Sequence, residues 1–281
     1  MDQRLTVKKV LNNNVLIAEH PTYKEVVLIG KGIGFNQRKG NKVSFNEADK
    51  TFLLTNERER EKYVELLSTI DKDLMDFIND IIIFIEEQMG QKLKENIHVA
   101  LTDHLSFAIH RAQKEMSFHN PFLLEIESLY PREFYVAIEV VKKIKDRLGV
   151  NFPKGEIGFI TLHIHSAVSS KSLSELNKHN QLIANLIGII EESLKIELQY
   201  DRVNFNRLVQ HLHRAVYRID KGESLGEQKN LAIMLKDAYP VCYTLAWKLV
   251  KVMQKQLNRP VDESEALYLT IHLQRLTNTC N

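Results

Sequence analysis

With 281 residues, 44% hydrophobic and 26% charged, the chain has the make-up of an ordinary globular protein with room for two domains or three small ones. Its longest apolar run, Ile81 to Ile85, is bounded by Asp80 and Glu86 and is far shorter than the ~20 residues that cross a bilayer. The N-terminal MDQRLTVKK has no apolar signal region, and Cys242 and Cys280 make neither a disulfide framework nor a metal pattern, which together predict a cytoplasmic protein. The net charge of +2 hides an asymmetry. Residues 1–42 carry eight basic and three acidic side chains, or +5, leaving −3 for the remainder. A basic N-terminal module on a mildly acidic body points to a polyanionic partner or to a solvated basic surface.

The first 55 residues have a β texture. Short runs at Val7–Val10, Val15–Ala18, Glu25–Ile29 and Lys42–Phe45 are separated by Asn, Gly and His-Pro punctuation, with Asn12-Asn13-Asn14 at hairpin distance between the first two. The pattern predicts a small antiparallel sheet of about four strands. So small a module is marginal alone, and dimerisation is a natural way to complete its core.

Within it, Gly30-Lys31-Gly32-Ile33-Gly34 invites comparison with a nucleotide phosphate loop, and fails it. A dinucleotide fingerprint needs G-x-G-x-x-G opening a helix, but Phe35-Asn36-Gln37 and then Arg38-Lys39-Gly40 follow, a turn between strands. A Walker loop needs Ser or Thr after its Gly-Lys, and Gly32 stands there. The glycines better serve to clear side chains from a surface that another molecule approaches.

NERERE, starting at Asn56, is a polar connector, and from Tyr63 onward apolar residues recur at helical spacing. This predicts an all-α body of more than 200 residues with an internal repeat. DHLSFAIHRAQ (103–113) matches QHLHRAVYRID (210–220), and the stretch 126–166 matches 235–275. Tyr130-Pro131 and Tyr239-Pro240 are offset by 109, as are His163 and His272, while His104 and His211 are offset by 107. Upstream, IEE at 85–87 matches IEE at 190–192. The expected organisation is therefore 1–60 as a β-sheet domain, and 61–172 and 173–281 as two homologous helical bundles.

Each copy keeps two histidines: His104 and His163 in the first, His211 and His272 in the second. A single histidine there would ordinarily be a hydrogen-bonded core residue, but a pair retained twice is harder to assign to packing. Zinc is a poor fit: in HIH (163–165) and HLH (211–213) the i and i+2 side chains of a helix diverge, and neither HExxH nor cysteine partners are present. A Ser-His-Asp hydrolase lacks its GxSxG elbow. Phosphoryl acceptance fits better. Imidazole is a nucleophile near neutral pH, and a phosphate placed on it adds roughly −2 of charge beside nearby arginines, with Arg111 and Arg214 as candidates. The donor must be another protein, because the chain has no P-loop.

KKVLNNNV (8–15), VVLIGKGIGF (26–35), ALTDHLSFAI (100–109), GEIGFITLHIHSA (155–167), LVQHLHR (208–214) and EALYLTIHLQRL (265–276) together resemble the BglG-type transcriptional antiterminators, over essentially the whole chain. That family joins a co-antiterminator RNA-binding domain to two phosphotransferase-system (PTS) regulation domains. SLYPREF, GFITLHIHSA and LTIHLQRLTN most resemble its glucose-type members.

The resemblance implies a non-enzymatic RNA-binding regulator without metal or cofactor. It would act as a homodimer that holds a leader mRNA hairpin and so prevents a terminator from forming. The resemblance also implies phosphorylation of His104 and His163 by a glucose-type permease and of His211 and His272 by HPr, with His104 the main inhibitory position. By motif, RNA contacts fall to Lys9, Asn14, Gly30, Lys31, Gly32 and Phe35. Lys9 and Lys31 suit phosphates, Asn14 suits base edges or 2′-hydroxyls, Gly30 and Gly32 suit close backbone approach, and Phe35 suits stacking. Asn36-Gln37 depart from the lysines that relatives often carry there. The competing classes are a histidine-based metal enzyme or phosphohydrolase, and a DNA-binding or scaffold regulator with phosphorylatable helical domains. Neither explains both the repeat and the basic β-module.

Overall fold

The computed structural model describes residues 4–278 except 14, 22–23, 31, 49, 53–69, 115, 117–118, 199–200, 224–225 and 227–228. Asn14, Lys31 and the expected boundary at residue 60 therefore lie outside the described residues. Among the described residues five strands come first: β1 (Arg4–Asn12), β2 (Val15–His20), β3 (Lys24–Ile29), β4 (Lys42–Ser44) and β5 (Lys50–Phe52). They form one antiparallel sheet in the order β4-β1-β2-β3-β5. The fifth strand is an addition to the four read from the sequence, and its pairing of Val27 with Phe52 is too short and too remote in sequence for alternation to reveal. Phe45 leaves the fourth strand and opens a 3-10 turn, Phe45–Glu47, capped by Ser44.

The sheet is buried on both faces. Leu5, Val7, Leu16, Ala18, Val26, Leu28 and Val43 pack under Ile33 on one side. On the other, Val15, Ile17, Val27 and Ile29 pack with Met75 and, at the edge, Ile70 and Val99. Helical residues of the same chain thus cover a face for which the sequence suggested dimerisation. This explains why Val15 to Ala18 are all buried instead of alternating.

Among the described residues ten helices follow: α1 (Lys72–Met89), α2 (Asn96–Gln113), α3 (Leu123–Leu129), α4 (Pro131–Leu148), α5 (Lys154–Val168), α6 (Leu173–Leu194), α7 (Arg202–Lys221), α8 (Lys229–Ala238), α9 (Pro240–Leu257) and α10 (Glu263–Asn278). The molecule divides into two compact units, Met1–His119 with Val136–Ser170, and Asn120–Tyr135 with Lys171–Asn281. In the first, isoleucines of α1 meet Leu101 and Leu105 of α2, Val140 and Ile144 of α4, and Ile160 and Ile164 of α5. In the second, Leu186 and Ile190 of α6 meet Leu208 and Leu212 of α7, Leu249 and Met253 of α9, and Leu269 and Leu273 of α10.

The repeat is visible in matched details. Glu86 accepts a hydrogen bond from the Leu93 N–H at 3.2 Å, and Glu191 accepts one from Leu198 at 2.8 Å, so the IEE triplets fix equivalent turns after α1 and α6. Thr161 and Thr270 each donate to the carbonyl four residues back at 2.7 Å.

The copies differ at one helix. In the second, α8 packs on α9 and α10. Its counterpart α3, which the sequence places in the first helical domain, packs within the second unit on α6 and α7. Arg202 pairs with Glu127 at 2.8 Å, Gln210 Nε2 donates to the Ser128 carbonyl at 2.8 Å, and Leu124 and Leu129 lie on the apolar core.

Candidate functional site

The two turns singled out at the N-terminus come together. The Gly34 N–H donates to the Asn13 carbonyl at 2.8 Å, so the asparagine hairpin and the glycine-rich turn form one rim of the sheet. Ile33, 6% exposed, anchors that turn in the core, and Phe35 beside it stands 61% exposed. An apolar ring held out on an anchored turn is open to a stacking partner. Gly32 is exposed with φ +76° and open space where a Cβ would lie, so its backbone is both shaped by glycine and open to approach.

Gly30 departs from the expectation. It is buried, its carbonyl accepting the Ile33 N–H at 3.1 Å, so it shapes the turn and offers no contact surface. Asn36 takes φ +55°, the left-handed conformation asparagine tolerates, which gives it a turn-forming role. A register irregularity between Val7 and Lys9 leaves Lys8 and Lys9 both exposed. Lys8 pairs with Glu25.

In the first helical unit His104 on α2 and His163 on α5 meet with ring centroids 4.8 Å apart. Nε2 of His104 lies 3.1 Å from the buried Glu156 carboxylate, whose other oxygen accepts from Arg111 Nη2 at 2.6 Å. Burial, and then the neighbouring His104, push the His163 pKa down to about 3, so this ring is neutral. A neutral imidazole keeps a lone pair for nucleophilic attack.

The second unit repeats this arrangement with changes. His211 on α7 and His272 on α10 are stacked at 3.4 Å. Arg218 grips Glu265 through two hydrogen bonds, Nε to Oε1 at 2.6 Å and Nη2 to Oε2 at 2.7 Å. The Tyr268 hydroxyl meets His211 Nδ1 at 2.9 Å. Burial, then His211, Arg275 and Arg207, lower the His272 pKa to about 4. His211 is lowered by burial and then by Arg214, Arg207, Arg275 and Arg218.

Each pair, some sixty residues apart in sequence, is thus brought into ring contact beside a buried Arg–Glu bridge. The sequence pointed to Arg111 and Arg214. The structural counterpart of Arg111 is Arg218, while Arg214 belongs to an arginine group with Arg207 and Arg275 around the second pair. Glu156, Glu265 and Tyr268 were missed, although each of the two glutamates lies seven residues before the later histidine of its copy. In the HLH doublet His213 turns its ring toward Tyr130, 6.5 Å between centroids, while His211 stacks on His272. Among the described residues no three His, Cys, Asp or Glu side chains are grouped to hold a metal ion.

The CAT RNA binding domain family matches residues 5–61, and the PRD domain family matches twice, over 79–167 and 184–276. The chain is 48% identical over 278 residues to the PtsGHI operon antiterminator of Bacillus subtilis (strain 168), covering 99% of both chains. It is 36% identical over 273 residues to the GlcA/glcB genes antiterminator of Staphylococcus carnosus (strain TM300), covering 96% of this chain and 95% of that one. The crystal structure of GlcT CAT-PRDI superposes with a TM-score of 0.54 at 50% identity, over 59% of this chain and 99% of that one. A basic sheet module followed by two histidine-bearing PRD bundles defines a regulatory RNA-binding protein. The chain belongs to the BglG-type transcriptional antiterminators, in their glucose-type branch.

Proposed function

We propose that this antiterminator binds a leader mRNA hairpin of a glucose phosphotransferase operon through the rim built from Asn13, Gly32 and Phe35, with Lys9 on the adjoining strand. Phosphorylation of two histidine pairs then sets its RNA affinity. Asn14 and Lys31 join the contact set by motif, and Gly30 supports it from beneath. Holding the hairpin keeps the overlapping terminator from forming. The phosphoryl acceptors are His104 and His163 in the first regulation domain and His211 and His272 in the second. A glucose-type permease acts on the first pair and HPr on the second. The protein works in the cytoplasm as a homodimer and turns over no substrate of its own; no described helix is long and apolar enough to cross a membrane. The domain limits read along the sequence are 1–60, 61–172 and 173–281, with Asn120–Tyr135 of the middle segment packing in the second compact unit.

The observation that carries this reading is the meeting of His104 with His163 and of His211 with His272, each neutralised by burial at one ring at least and each beside a buried Arg–Glu bridge. A gel-shift series with the full chain and the leader RNA of a glucose permease operon tests it. Unmodified protein is expected to shift the hairpin, and protein phosphorylated by the permease is expected to lose most of that shift unless His104→Ala is present. Absence of any shift by the unmodified protein overturns the reading.

A further inference from the structure

A second cluster of titratable groups lies in the helical unit Lys171–Asn281, apart from the histidine pairs. Lys171, just before the α6 capping box formed by Ser172 and Glu175, places Nζ 3.1 Å from His179 Nδ1. The other ring nitrogen, Nε2, lies 3.1 Å from Asp220 Oδ2 at the end of α7. Lys171 also sits over the Tyr217 ring at 5.2 Å, and Lys221 sits over the same ring at 5.8 Å. His179 is 6% exposed, whereas Lys171 is partly open to solvent. The repeat does not require this cluster: the positions matching His179 and Asp220 in the first copy are Leu74 and Gln113.

The line carboxylate, imidazole, amine is the arrangement by which a buried histidine, oriented by an acid on one nitrogen, takes a proton through the other. Burial holds the Lys171 pKa below the ordinary lysine range, and Lys221 acts in the same direction, against the opposing pull of Asp220 and Glu175. Lys221 also supplies a second cation beside the amine, where an incoming anion would be held.

We propose that Lys171 is a site of self-catalysed acylation by small acyl phosphates, with His179 as the base and Asp220 orienting it. His179 Nδ1 takes one proton from the Lys171 ammonium, and Asp220 stabilises the imidazolium. The freed amine lone pair forms a bond to the acyl carbon, and the bond between that carbon and the phosphate oxygen breaks. Inorganic phosphate leaves with the bonding electrons and one amine proton, while the proton on His179 passes to water. The product is a neutral amide that has lost its charge over Tyr217.

Full-length protein incubated with acetyl phosphate, digested with a glutamate-specific protease and followed by mass spectrometry, tests this. Lys171 is expected to acetylate about tenfold faster than the exposed Lys178 and Lys195, general bases commonly contributing on the order of 10²-fold or more. His179→Gln and Asp220→Asn are expected to bring it down to their rate. Asp220 is exposed, so its variant decides the matter if His179→Gln fails to fold. Lys221→Gln is expected to slow the reaction with acetyl phosphate and to leave reaction with an uncharged acetyl thioester unchanged. Acetylation of Lys171 no faster than Lys178 and Lys195, or a rate untouched by Asp220→Asn, overturns the proposal.

Discussion

Phe159 and Tyr268 occupy the same place in the two helical copies, 109 residues apart in the chain, and differ by one hydroxyl. That hydroxyl meets His211 Nδ1 at 2.9 Å, whereas the Phe159 ring, without a hydroxyl, packs beside His104, 6.0 Å between centroids. With Nδ1 of His211 engaged, Nε2 is the nitrogen left to attack phosphorus. Phosphohistidine at position 211 is therefore expected to be the Nε2 isomer, read by isomer-specific antibodies or by ring nitrogen shifts in NMR. Tyr268→Phe is expected to mix the isomers and to lower stability by about 0.5–1.5 kcal/mol, the net worth of one hydrogen bond. An Nδ1 phosphate in the unaltered protein sinks this assignment.

The Arg218–Glu265 bridge is doubly hydrogen-bonded and almost fully enclosed, Glu265 being 1% exposed. Removing one partner strands the other's charge in a low-dielectric setting, which typically costs about 3–5 kcal/mol, while replacing both with apolar groups is far milder. Glu265→Ala is accordingly expected to lower the calorimetric Tm of the second helical unit by ~10 °C. Arg218→Met combined with Glu265→Leu is expected to recover most of that loss. Equal losses in the single and double variants would show that the bridge is not a coupled pair.

Depressed histidines make stability depend on pH in a definite direction. His163 and His272, at about 3 and about 4, stay neutral in the folded chain while the unfolded chain takes up protons near pH 6.5. Between that value and the folded pKa the unfolded state holds more protons, so stability falls as pH falls through this window and is complete above it. His211 and His179, both lowered mainly by burial, add in the same sense, and Glu125, raised by burial, opposes them at its lower end. Tm is expected to drop from pH 7 to pH 5, and a variant carrying His163→Gln and His272→Gln is expected to show a flatter profile. An unchanged slope would contradict the burial of these rings.

Phe35 carries the nucleic-acid prediction. Stacking of one base on an aromatic ring is worth about 1–3 kcal/mol, so Phe35→Ala is expected to weaken hairpin binding roughly fivefold to a hundredfold without altering its salt dependence. Lys9→Gln is expected to reduce the salt slope by about one phosphate contact. Filter binding at several salt concentrations separates the two effects, and an unchanged affinity for Phe35→Ala would remove the ring from the interface.

How much of this was legible depended on whether a signal was local or repeated. The histidine pairs and the IEE turns were readable because duplication prints the same residues twice at a fixed offset. Neither the Glu156–Arg111 contact nor its counterpart was readable, because residues three and seven places after a histidine share its helix face and the sequence does not say which one meets a carboxylate 45 residues away. The packing of α3 was hidden for a related reason: an amphipathic helix declares that it has a partner but not which helices supply it. The second buried face of the sheet was hidden because its cover, Met75 and Val99, comes from the helical region.

The two histidine pairs differ most in their surrounding charge. Arg207, Arg214 and Arg275 all act on the second pair, and the matching positions in the first copy are Ala100, Phe107 and Ser166. In the first copy His104 instead lies 3.1 Å from the Glu156 carboxylate. A phosphate of roughly −2 charge placed on His211 or His272 therefore meets cations, whereas one on His104 meets a carboxylate already committed to Arg111. Phosphorylation is expected to raise the Tm of the second unit and to lower that of the first. All three arginines are exposed, where a charge pair is worth about 0.2–1 kcal/mol, so replacing all three with glutamine is expected to abolish the rise in the second unit. Differential scanning calorimetry of protein phosphorylated at one unit at a time measures both signs, and a stabilised first unit would show that Glu156 moves away to admit the phosphate.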